Sequence, residues 1–112
     1  MLRPIDYCPV EILAKLITIG YPIEHGDNQK VLLYEAQMWF KDVHHFEIVV
    51  LGEKYIGGPY YADIYADCGL INSAVPCEDY EVSLATGISE ACDIILEERV
   101  EKLKNISDEV DI

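Results

Sequence analysis

The sequence predicts an α+β domain, a small antiparallel sheet built on one hairpin and covered by two or three helices. Three observations predict it. Apolar residues recur at helical spacing in three windows, beginning near Val10, Leu32 and Tyr80. Two short runs, 46–51 and 60–67, are rich in β-branched and aromatic residues. Glycine, proline and polar clusters separate these windows. At 112 residues the chain makes one domain, residues 1–112. A domain of this size buries roughly two-thirds of its unfolded surface, enough for a core without staples.

The first helix follows a short lead. Pro9 suits a first helical turn, where its missing N–H has no partner to lose. Val10, Leu13, Leu16 and Ile17 carry the apolar spacing. Gly20 can take the left-handed conformation that ends a helix, and Pro22 forbids continuation. His25-Gly26-Asp27-Asn28 reads as a loop. Asp27 or Asn28 would then cap a second helix running to about His44. Its buried stripe is Leu32 or Leu33, Ala36, Trp39 or Phe40, and Val43.

The period then changes from helix to strand. Phe46, Ile48 and Val50 fall on one face of a first strand. Gly52 and Gly57-Gly58-Pro59 supply turn chemistry before a second strand over 60–67. There Ala62, Ile64 and Ala66 alternate with Tyr61, Asp63, Tyr65 and Asp67. Residues 70–75 allow a third strand, and two strands alone would be marginal. Asp79 is placed to cap the last helix, whose stripe runs Tyr80, Leu84, Ile88, Ala91, Ile95 and Leu103. Gly87 inside it costs about 1 kcal/mol against alanine, which a close approach by a neighbouring backbone would explain. Beyond Lys104, residues 105–112 read as a frayed acidic tail.

Charge is the most unusual bulk property. Twenty-one acidic against eight basic side chains give a formal charge of −13. From Lys54 to Arg99 there are carboxylates and no other Lys or Arg. Such a surface repels nucleic-acid phosphates and anionic membranes and attracts basic proteins. No run approaches the ~20 apolar residues of a membrane span. The acidic residue and proline at the start replace the apolar run of a secretory signal. A cytoplasmic protein is therefore expected, with Cys8, Cys68, Cys77 and Cys92 reduced and mostly buried.

The words in this order resemble those of small uncharacterised proteins carried by Bacteroides-type gut bacteria and their phages. The matching residues are Gln37-Met38-Trp39-Phe40-Lys41-Asp42-Val43-His44, leading into Phe46-Glu47-Ile48-Val49-Val50, and Asp79-Tyr80-Glu81-Val82-Ser83-Leu84-Ala85. In the second stretch Asp79 stands where those proteins carry Thr, and Val82-Ser83 where they carry Glu-Ala. The resemblance spans residues 30–96 and implies a phage or mobile-element origin. It brings no catalytic residues with it.

Chemistry-bearing patterns are few. His44-His45 beside Glu47 lacks the spacing of a metal site, and adjacent histidines at a helix end point apart. One of them beside a helix C-terminus is a stabilising charge arrangement instead. Cys68 and Cys77 have no basic neighbour in sequence to lower a thiol pKa. Gly87-Ile88-Ser89 lies inside a helix and lacks the second glycine of a nucleophile elbow. Gly57-Gly58-Pro59 lacks the Gly-Lys-Ser/Thr of a phosphate loop. No catalytic residue, metal or cofactor is assigned.

The pattern with most binding character is Tyr61, Asp63, Tyr65 and Asp67. In a regular strand these four point one way and form an aromatic, acidic ribbon. Tyrosines supply rigid contact area and carboxylates supply charge complementarity. Asp63 and Asp67, roughly 13 Å apart along a strand, are too distant for an acid/base pair. The expected function is thus a small acidic non-enzymatic binding module for a basic host protein, with no direct nucleic-acid or membrane contact. The alternatives are a small-molecule binder or minor enzyme with a pocket near Trp39, His44 and Tyr65, or a self-assembling structural subunit. The high apolar content is compatible with a homodimer.

Overall fold

Helix α1 (Val10–Thr18) opens directly after Pro9, whose carbonyl accepts the N–H groups of Ile12 and Leu13. Gly20 takes the expected left-handed backbone, φ +103°. The computed structural model describes residues 6–22, 30–52 and 59–110. Asp27, Asn28, Gly57 and Gly58 lie outside them, so the expected cap of the second helix falls there. Helix α2 (Leu33–Trp39) begins later than the sequence predicts. Glu35 in its first turn accepts the N–H of Leu32 at 3.1 Å, satisfying a donor that precedes the helix.

Past Trp39 the helix widens into a π-helical turn over Phe40–His44. His45 closes it with a left-handed backbone, φ 59°, and its N–H reaches back to the carbonyl of Phe40. The widening overturns one expectation. Leu33, Ala36 and Phe40 are buried as the stripe requires, but Val43 is 53% exposed. A stripe counted at 3.6 residues per turn loses register where a turn holds more residues.

Strands β1 (Glu47–Gly52), β2 (Tyr60–Ala66) and β3 (Gly69–Ser73) form an antiparallel sheet in the order β1-β2-β3. The third strand is thus realised, with a register shift between Ile64 and Tyr65 against β3. Two isolated bridges extend the framework, Tyr7 to Leu32 and Tyr60 to Cys77.

Helix α3 (Tyr80–Val110) lies across one face of the sheet. It runs past Lys104 into the segment where the sequence predicts a frayed tail. Leu84, Ile88, Ala91, Cys92 and Ile95 are buried with Ile48, Ala62 and Ile64. Tyr80 and Leu103, both assigned to this stripe by spacing, are exposed: Tyr80 opens the helix edge-on to Tyr60 at the start of β2, and Leu103 lies towards the far end of the helix. Lys15 of α1 binds Ser89 at 2.9 Å and Asp93 at 2.9 Å. Arg99 donates to the carbonyls of Thr18 and Ile19, the free C-terminal acceptors of α1. No helix among the described residues is long and apolar enough to cross a membrane.

Candidate functional site

The helices pack on the Ile48, Ala62 and Ile64 face of the sheet, which leaves the opposite face as the candidate surface. Alternation along each strand decides what stands there. Cross-strand partners share a face, so Glu47 stands beside Tyr65, Val49 beside Asp63, and Leu51 beside Tyr61. From β3, Ser73 stands beside Asp63 and Leu70 beside Tyr65.

Tyr61, Asp63 and Tyr65 therefore do share one side, as the alternation predicts. Two details of the expected ribbon need correction. Asp63 is no solvated charge: it is only 6% exposed, because the central strand leaves it neighbours on both sides. Its carboxylate accepts a 2.7 Å bond from Ser73 Oγ and a long 3.5 Å contact from Tyr65 Oη. Asp67 is not in the strand. It lies in the turn after Ala66, exposed, where the chain reverses into Gly69 at φ +113°. The ribbon is three residues long, with its fourth member at the rim.

At that rim a cleft of about 260 Å³ is lined by Lys41, His45, Glu47, Tyr65, Ala66 and Asp67. The left-handed turn at His45 places its side chain beside the strand ends. The cleft joins two ribbon residues to one cation and one imidazole from the end of the second helix. Sequence spacing misses Lys41, His45 and Glu47 as partners of Tyr65 because they meet it only through the register of β1 on β2. Ser73 is missed as a partner of Asp63 because it meets it through the register of β3 on β2.

The expected pocket near Trp39, His44 and Tyr65 does not assemble from those three. Trp39 and His44 instead pack edge-on, ring centroids 4.8 Å apart, within a cluster holding Tyr21, Phe40 and Phe46. Burial lowers the pKa of His44 below its ordinary value, and the nearby Arg99 charge adds to this. His44 Nε2 is sealed from solvent with no partner among the described residues. This histidine is a neutral member of an aromatic cluster.

The cysteines divide by burial. Cys92 is buried, Cys8 and Cys77 are half-buried and Cys68 is exposed, so fewer are buried than the sequence predicts. Burial pushes the Cys8 thiol up to about 11, with Glu35 adding to the shift. Burial pushes Cys92 up to about 12. Further depressions flank the fold. A groove of about 440 Å³ separates Tyr7, Cys8 and Ile12 from Val82, Ala85 and Thr86. Another, of about 270 Å³, runs along the outer edge of β1 beside Gln37, Met38, Lys41 and Tyr80. Among the described residues no three His, Cys, Asp or Glu side chains converge as a metal site. Neither the family models nor the curated proteins nor the solved structures yield a match to this chain.

Proposed function

We propose that this chain is a small acidic, non-enzymatic protein-binding module of phage or mobile-element type that engages a basic protein. The contact surface is the open face of the sheet, with Tyr61 and Tyr65 as its aromatic centre and Glu47 and Asp67 as its charged rim. One observation carries the reading. The helix-free face sets half-buried tyrosines beside Val49, Leu51 and Leu70, with exposed carboxylates at one end. Aromatic area bordered by charge is the composition of a binding surface. Asp63 acts from beneath: its bond to Ser73 ties β2 to β3, and Tyr65 lies against it. The setting is the cytoplasm, where the four thiols stay reduced.

The test is a tagged pull-down from bacterial lysate at low and high salt, with bound proteins identified by mass spectrometry. The expected result is a specific basic protein that is lost at high salt and with Glu47→Lys combined with Asp67→Lys. A partner retained through both changes would sink the electrostatic part of this reading.

The rim cleft favours a second reading, a small-molecule site. Lys41, His45 and Tyr65 offer donors there, and Glu47 and Asp67 offer acceptors. A ligand that shifts the NMR signals of His45 and Tyr65, with no protein partner captured, would favour it.

A further inference from the structure

Among the described residues, the outer edge of β1 carries backbone groups with no partner, and their identity follows from the other side of the sheet. Tyr60 exchanges two 2.7 Å backbone bonds with Cys77, and the carbonyl of Ala62 accepts Ala74 N–H at 2.8 Å. Both residues turn their polar backbone away from β1. Their partners across β1, Gly52 and Val50, therefore turn theirs outward, and so does Ile48 opposite Ile64. The side chain of Gln37 confirms the direction, since its Nε2 donates to the Ile48 carbonyl at 2.6 Å. One outward acceptor is thus held by a side-chain amide. Among the described residues, nothing pairs with the outward groups of Val50.

Beside this edge runs the 270 Å³ groove, floored by Ile48 and Val50 and walled by Met38 and Tyr80. Exposed Glu47 stands at one end of the strand, and the exposed pair Glu78-Asp79 precedes Tyr80 at the other. Lys41 is the one cation among the lining residues. We infer that β1 accepts an extended basic segment of a partner protein as a fourth strand, displacing Gln37 from the Ile48 carbonyl. Apolar side chains on alternate positions of that segment enter the groove, and the basic ones between them face Glu47. A second copy of this chain is the poorer occupant, since each copy brings a formal charge of −13. This inference rests on the basic-partner reading above.

The probe is a capped peptide of alternating lysine and valine, titrated at low salt into the isotope-labelled chain and read by amide NMR. The expected result is shifts and slowed exchange at Ile48, Val50 and Gly52. The same peptide methylated on alternate backbone nitrogens should bind about tenfold more weakly, because it cannot complete the ladder. Val50→Pro, which removes an outward N–H that an edge strand can spare, should weaken binding by about the same factor. Gln37→Ala should tighten it by freeing the Ile48 carbonyl. If methylated and unmethylated peptides bind alike, with shifts centred on Tyr61 and Tyr65, the edge inference fails and the basic-partner reading stands. If neither peptide binds at low salt, the edge inference fails, and the lysate experiment decides the other reading separately. A dimer that Val50→Pro dissolves and the peptide cannot displace would put a second copy on the edge and overturn the proposal.

Discussion

Gly87 of α3 stands so close to Ala62 of β2 that a Cβ on the glycine would lie 2.6 Å from the alanine Cβ. The same atom would lie 2.9 Å from Cγ2 of Ile48. Neither neighbour is the tip of a flexible chain, so helix and sheet would have to part. Gly87→Ala gains about 1 kcal/mol of helix propensity. Overpacking costs about 1–3 kcal/mol, so the expected net result is destabilisation. Chemical denaturation decides the sign, and a stabilised variant would show that α3 can lift from β2 at little cost.

Ser73 and Asp63 form the second relationship worth breaking. Ser73→Ala leaves a nearly buried carboxylate with only the long Tyr65 contact among the described residues, at an expected cost of about 1–3 kcal/mol. Replacing both residues with alanine should cost less than the sum of the single changes, because the orphaned charge goes too. Additive losses in a double-mutant cycle would mean that the bond contributes nothing of its own.

His44 gives the fold a pH dependence of definite sign. Its folded pKa is lowered from 6.5, so the unfolded chain takes up the proton first as pH falls. The contribution of the neutral ring is complete above the unfolded value and declines as pH falls through it towards the lower folded value. Melting temperature should therefore drop between about pH 7 and pH 5.5, before most carboxylates titrate. His44→Phe keeps the aromatic cluster and should flatten that part of the curve. An unchanged slope would assign the effect to other groups.

Thiol labelling should follow burial. At mildly alkaline pH, Cys68 should react first with an aromatic disulfide reagent, while Cys8 and Cys92 lag until the chain unfolds. Mass spectrometry of the labelled peptides gives the order. Early labelling of Cys92 would mean that α3 opens from the sheet in the native state.

Much of the architecture is legible in the sequence because two periods, 3.6 and 2, dominate it. The strands follow from them, and so does the shared side of Tyr61, Asp63 and Tyr65. Helix α1 stands where the spacing puts it, but Ile12, Leu16 and Ile19 are buried there while Val10 and Ile17 of the expected stripe are exposed. The misreadings have local causes. Val43 emerges into solvent because the π turn adds a residue to a helix that the pattern counts evenly. Asp63 is buried because β2 is central, a fact about strand order that no single strand contains. Asp67 leaves the ribbon because the turn into Gly69 comes one residue early. The rim cleft is not legible at all, since Glu47 meets Tyr65 only through a register fixed by the whole hairpin.

The two bonds from Arg99 to the end of α1 bear on how the chain reaches this structure. The arginine lies 81 and 80 positions from the carbonyls it holds. A helix of nine residues is too short to persist alone in water. On the ribosome α1 emerges before α3, and Ser89, Asp93 and Arg99, which bind it, all lie in α3. A short helix is thus fastened by side chains made much later in the chain. Amide exchange in α1 should then report on the docking of α3, long after the hairpin has closed.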